Sequence, residues 1–240
     1  MIYEKQGYVT GSMCDASVRL SVIAAFDLIE DSVTELLGNM HIDGVTAMKK
    51  YSAMWVFSKN LMKFYRKPEW LEKFRIRCFI SGHSALRMFV DTEIMSESGE
   101  MFVNSRVEIC AIDLEAEKLR KPQTVGFTED MEHADQAGEF AFDRFSKDPL
   151  TFSESVKVRS MNIDYCSHTN NIEYVRFILN NYPVDFVSSD KIKAIELHYL
   201  GQTHEGDILD IESEIGGLSD RFNIRCNGKQ VIACRIDRQD

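Results

Sequence analysis

The sequence predicts an α+β fold built twice over, each half a long amphipathic helix followed by an antiparallel sheet. Three observations carry this expectation. Val22, Phe26, Ile29, Val33 and Leu36 recur at spacings of four and three, one face of an α-helix. Ile172, Val175, Ile178 or Leu179, and Tyr182 repeat that pattern and stop at Pro183. After each helix the periodicity changes from helical to two, the mark of half-buried strands.

The elements follow in order. Asp15 or Ser17 is a capping candidate for the first helix, which Gly38-Asn39 closes. Phe74, Ile76 and Cys78 alternate with Lys73, Arg75 and Arg77, and Ser98-Gly99 turns the chain before the strand-like run from Phe102 to Ile112. In the second half Ile195, Leu197 and Tyr199 alternate with Glu196 and His198. Glu205-Gly206-Asp207 then turns into Leu209 and Ile211, and Asn227-Gly228 is a type I′ hairpin signal. Two such units would set their sheets side by side. Residues 126–148 hold seven acids against Arg144 and Lys147 and keep no regular period, so they read as a connection along the surface. The expected division is 1–128, a linker at 129–148, and 149–240.

Composition narrows the function. The 240 residues are 44% hydrophobic and 28% charged, as in a globular protein, and the net charge of −10 argues against general nucleic-acid binding. Asp27 and Glu30 interrupt the best apolar stretch, so no membrane span is expected. Met1-Ile2-Tyr3-Glu4 runs directly into strand-like sequence, which suggests no leader and a cytoplasmic protein. Six cysteines stand singly, without the paired spacing of a zinc site or a disulfide framework, and read as reduced thiols. No metal or redox cofactor is expected.

One segment is dense in reactive groups: Asp164-Tyr165-Cys166-Ser167-His168-Thr169-Asn170-Asn171. At strand period Asp164, Cys166, His168 and Asn170 share a face, with Cys166 and His168 about 6.6 Å apart. A direct Asp164–His168 pair requires a bend. The following helix offers unpaired N–H groups near Asn170 and Asn171, suited to an oxyanion. The same five-residue plan precedes the first helix, where Asp15, Ser17 and Arg19 stand in the places of Asp164, Cys166 and His168. From spacing alone, turn residues, a cap and a core thiol explain the segment as well as catalysis does. The other histidines read as surface residues, although His198 and His204 lie near enough to Gln202 for a site's outer shell.

Residues 164–174 resemble the D-x-N-x-H-x-N-N-x-x-Y signature of acyl-ACP thioesterases. In the same order, Trp55-Val56-Phe57-Ser58-Lys59, Arg66-Lys67-Pro68-Glu69-Trp70 and Tyr199-Leu200-Gly201-Gln202 are similar to other segments of that family. The resemblance implies a tandem double hotdog fold and hydrolysis of fatty acyl chains from acyl carrier protein. It carries Asp164 and His168 over as catalytic residues. Two positions depart from the pattern: Cys166 stands where the family has Asn, and Gln202 where many members have Glu. Water activated by His168, rather than a Cys166 thiolate, is the expected nucleophile, with Cys166 and Gln202 as positioning groups.

Lys59, Lys63, Arg66, Lys67, Lys73, Arg75 and Arg77 face only Glu69 and Glu72 over residues 59–77, a basic island of +5 in an acidic chain. It suits an acidic partner, and acyl carrier protein is acidic as a family. Alternative readings are an acyl-CoA or polyketide-type thioesterase of the same fold, and a non-catalytic carrier-binding module. A monomer and a homodimer are both compatible with the sequence.

Overall fold

The computed structural model describes residues 1–239. The first half comprises β1 (Ile2–Tyr8), α1 (Val22–Asn39), α2 (Gly44–Tyr51), β2 (Ala53–Phe64), β3 (Lys73–His83), β4 (Met88–Met95), β5 (Met101–Asp113) and a short β6 (Leu119–Arg120). The second comprises β7 (Thr151–Lys157), α3 (Asn171–Leu179), α4 (Val184–Val187), β8 (Ile192–Tyr199), β9 (Ile208–Glu214), β10 (Ser219–Cys226) and β11 (Lys229–Arg238).

The strands form one antiparallel sheet in the order β1-β3-β4-β5-β2-β8-β11-β10-β9-β7, with β6 paired to β5. Read outward from the β2–β8 seam, the two halves repeat the same strand order. The expected sheets side by side are thus joined by main-chain hydrogen bonding, with Lys59 opposite His198 and Lys63 opposite Ala194. β2 and β8 would otherwise be exposed edges, and pairing them removes that liability.

The helices cover one face of the sheet. Phe26, Ile29, Val33 and Leu36 of α1 pack with Ile76, Phe102, Val175, Ile178 and Leu197 in a core shared by both halves. Each such side chain contributes about 1.5–3 kcal/mol on burial. Asn227 and Gly228 both take positive φ, as the hairpin between β10 and β11 requires. The cap of α1 differs from expectation: Ser21, not Asp15 or Ser17, accepts the Ala24 N–H. Asp15 and Ser17 are occupied in a closed loop described below.

The segment between the halves runs irregularly across the opposite face of the sheet. Phe140 lies against Lys63 and Arg106, Phe142 against Lys59, and Phe145 against His198. Asp143 pairs with Arg235 and takes a backbone hydrogen bond to Glu196. This cover buries His198, which bonds Glu196 at 2.8 Å, so it is not the solvent-facing histidine that strand alternation suggests. No helix among the described residues is long and apolar enough to cross a membrane.

Candidate active site

Asp164 to His168 is a closed loop, not an extended strand. Ile163 and Thr169 bridge its base, the Asp164 N–H donates to the His168 carbonyl at 2.9 Å, and the Ser167 N–H donates to the Asp164 carbonyl at 3.0 Å. Asp164 Oδ1 accepts the Cys166 N–H at 2.8 Å, and Ser167 takes a left-handed φ of 65° to close the turn. The bend that an Asp164–His168 pair requires is therefore present, and the expectation of one extended face is corrected. An Asp side chain bonding the backbone two residues on is what favours a turn over a ladder here.

The first half repeats this loop bond for bond. Cys14 and Leu20 bridge its base, Asp15 N–H reaches the Arg19 carbonyl at 2.8 Å, and Val18 N–H reaches the Asp15 carbonyl at 3.0 Å. Asp15 Oδ1 accepts the Ser17 N–H at 2.9 Å, and Val18 has φ 60°. The side chains then diverge. Lys67, only 4% exposed, reaches Asp15 at 3.0 Å and the Val187 carbonyl at 2.6 Å. Arg19 reaches Asp190 at 2.7 Å and the Ser188 carbonyl at 2.9 Å. The first loop is thereby tied by cations to the second half. Among the described residues no lysine pairs with Asp164 in this way.

Thr169 fixes the second loop to the chain beyond β8. Its N–H donates to the Thr203 carbonyl at 2.8 Å, the two hydroxyls lie 2.6 Å apart, and Tyr174 reaches the Thr203 hydroxyl at 2.8 Å. The flanking residues are then carried to the site: Gln202 is exposed beside buried Thr203, and the His204 ring meets the His168 ring edge-on at 5.2 Å between centroids. Thr203 was not singled out from the sequence, since a buried hydroxyl cluster has no periodic signature, and Tyr174 stood there only as the last position of the motif.

Asn170 is the N-cap of α3, its side chain accepting the Ile172 N–H at 2.8 Å, and its own N–H donates to the Asn162 carbonyl. It therefore shapes the helix start and has no free backbone N–H to offer an oxyanion. Asn171 opens α3, where no intrahelical acceptor exists for its N–H. Of the two residues expected to supply oxyanion contacts, Asn171 is the one whose backbone is free to do so.

The electrostatics separate the two candidate routes of attack, water activated by His168 and the Cys166 thiolate. Burial, helped by the positive charge His204 can carry, holds His168 below the ordinary histidine value, with Asp164 opposing. Its neutral, proton-accepting form is thus favoured at neutral pH. Burial and the Asp164 carboxylate push the Cys166 thiol up, so the thiolate is disfavoured. Cys166→Asn and Cys166→Ser are accordingly expected to keep turnover of the wild-type order. An acyl group trapped on Cys166 in quenched wild-type protein, together with inactive but folded variants, would overturn this.

The basic island is divided by the fold. Lys67 is buried against Asp15 and is unavailable to any outside partner, a correction to the docking expectation. Lys59 and Lys63 lie under the linker aromatics, and Arg66 is held by Glu72 and Glu100. Arg77 lies among Glu4, Glu93 and Asp135. Lys73 is well exposed, with Glu97 at 3.5 Å, and Arg75 shares its strand face. Among the described residues no set of three His, Cys, Asp or Glu converges as a metal site.

The acyl-ACP thioesterase N-terminal domain model matches residues 2–125, and the C-terminal domain model matches residues 146–239. The chain is 22% identical over 190 residues to oleoyl-acyl carrier protein thioesterase 1, a chloroplastic protein of Arabidopsis thaliana, covering 72% of this chain and 52% of that one. It spans about half the length of the curated relatives it matches. An acyl-ACP thioesterase structure from Bacteroides thetaiotaomicron superposes with a TM-score of 0.87 at 17% identity, over 99% of this chain and 98% of that one. The 12:0-ACP thioesterase of Umbellularia californica gives 0.88 at 16% identity, over 99% and 97%. Both share the tandem double hotdog arrangement seen here.

Proposed function

Since the chain belongs to the acyl-ACP thioesterase family, whose two domain models together match nearly all of it, we propose that it hydrolyses the thioester between a fatty acyl chain and acyl carrier protein. The observation that carries this reading is the closed loop that sets a neutral-leaning His168 beside the free N–H end of α3. Thioester hydrolysis needs those two things, a base for water and a donor for the oxyanion.

In the proposed reaction His168 takes a proton from water as the water oxygen bonds to the carbonyl carbon. The resulting oxyanion faces the Asn171 N–H. Collapse breaks the C–S bond, and the leaving thiolate takes the proton from the His168 imidazolium, giving a free fatty acid and the carrier thiol. Asp164 holds the loop through the Cys166 N–H and supports the imidazolium electrostatically. Gln202 can hydrogen-bond water or the substrate but cannot act as an ionised base.

The acyl chain is proposed to lie along the apolar face of α1, and the carrier to approach the strand face on which exposed Lys73 stands with half-buried Arg75 and Arg77. Tyr165 in the catalytic loop is 84% exposed, and Met161 just before the loop is exposed too, so both offer apolar surface beside the site. The protein is proposed to act in the cytoplasm.

The direct test is a panel of acyl-ACP and acyl-CoA thioesters with free thiol and free fatty acid both measured. The expected result is equal release of both, faster from the carrier-bound substrates. Release from CoA alone would move the substrate class, and carrier binding without release would leave a non-catalytic binding module.

A further inference from the structure

The site contains a carboxyl group that the reaction above does not use. Glu30 lies on α1 of the first half, and α1 packs on α3 of the second. Its Oε1 is fully buried and has no hydrogen-bond partner. The Asn171 side chain hydrogen-bonds the carboxyl, and Asp164 lies close enough to influence its charge. The hydroxyl of Tyr199, at the end of β8 just before the Gln202 segment, is likewise buried without a partner and senses Glu30. One carboxyl oxygen from the first half therefore stands without a partner beside Asn171, at the helix end where the oxyanion is proposed to form, with an unpartnered hydroxyl of the second half near enough to feel its charge. Buried polar atoms are almost always paired, so an orphan carboxyl oxygen at such a place indicates a ligand's position.

We infer that Glu30 is a hydrogen-bond donor in the second half's site, holding the substrate carbonyl oxygen together with the Asn171 N–H. The inference rests on the thioesterase reading and adds to it a residue from the other half. The donor is the carboxylic acid form, so no proton needs to leave it: the O–H points at the oxygen as charge develops and remains on Glu30 when the C–S bond breaks. A carboxyl kept neutral so that it can donate is a known way to stabilise an oxyanion.

The surroundings favour that form. Burial and then the Asp27 carboxylate push the Glu30 acid up to about 8, with Asp164 and Asp31 adding to the shift and Asn171 opposing it. The groups facing it are Asp27 and Asp31 on its own helix, Asp164, Tyr165 and Asn171 around the loop and α3, and Tyr199 on β8. Arg176 on α3 acts on Asp27 and bonds Glu173. The donor is therefore present below about pH 8 and lost above it.

The sign is testable. Wild-type kcat should fall on the alkaline side as Glu30 ionises, while the acid limb belongs to His168. Glu30→Ala should lower kcat about a hundredfold with little change in KM, the effect of losing one oxyanion donor. Glu30→Gln keeps an N–H donor that does not titrate. It should restore most of that loss and remove the alkaline limb. Glu30→Gln as inactive as Glu30→Ala in folded protein would show that the carboxylate is required and overturn the inference. Wild-type kinetics in Glu30→Ala would also overturn it.

An infrared difference spectrum between wild type and Glu30→Gln gives a readout independent of turnover. A protonated-carboxyl band present at neutral pH and lost in Glu30→Gln supports the donor, and its absence overturns the inference whatever the activity. Failure of the wild-type protein to cleave any thioester, with that band present, would instead remove the thioesterase reading.

Discussion

His168→Ala is expected to cut turnover by about three orders of magnitude, the usual contribution of a positioned base, while leaving the denaturant midpoint almost unchanged. The residue is only partly buried and its side chain is not part of the loop's closure, which is made by its carbonyl and by Asp164. Asp164→Asn separates the two roles of that carboxylate. Asn Oδ1 can still accept the Cys166 N–H, so the loop stays closed, but the negative charge that supports the His168 imidazolium is gone. A drop in kcat with wild-type stability is the expected outcome. His204→Ala refines the picture, because removing a neighbour that disfavours the imidazolium raises the His168 value and moves the acid limb to higher pH. Steady-state pH profiles on one carrier-bound substrate check all three. An active, folded His168→Ala would end the general-base assignment.

Lys67→Ala is expected to cost about 3–5 kcal/mol of folding stability, the range for breaking a buried ion pair and stranding its partner. The Lys67 and Asp15 side chains are 4% and 9% exposed, and the ammonium also serves the Val187 carbonyl across the interface. The loss should appear as a lower midpoint in urea. Lys67→Met combined with Asp15→Asn should recover a large part of it, since no buried charge is left unpaired. A single variant with an unchanged midpoint would show that the ion pair contributes nothing net.

α1, the start of α3 and the hairpins were legible because periodicity and turn chemistry are local, whereas α3 stops at Leu179, short of the expected Tyr182, and the short α2 and α4 were not read. Phe26 and Ile29 on α1, alternation along β3, and Asn227-Gly228 all carry their structure within a few residues. The closure of Asp164 to His168 was not legible, because it depends on Ser167 taking a left-handed φ that no glycine advertises. The burial of Lys67 and His198 was hidden for a different reason. Lysine reads as exposed, and alternation with Leu197 reads as a solvent face, until the second half and the linker cover them. Glu30 shows the same limit most plainly. A glutamate after Ile29 looks like the polar flank of a stripe, and only α3, far along the chain, buries its carboxyl oxygen. The site's ordered motif was visible from sequence, but the residues that tune it come from long-range contacts.

The matched loops before α1 and α3 have a consequence for how such a protein can change. In a symmetric dimer of one hotdog unit, every substitution is written into both copies at once. A lysine that anchors one loop would then sit in the other as well, and a histidine placed for catalysis would have to serve as a structural residue too. Joining the copies in one polypeptide removes that constraint. Asp15 can be neutralised and built into the scaffold while its counterpart Asp164 keeps its charge beside His168. Selection can act on the two loops separately, one for cohesion and one for reactivity, from what the backbone still records as a single design.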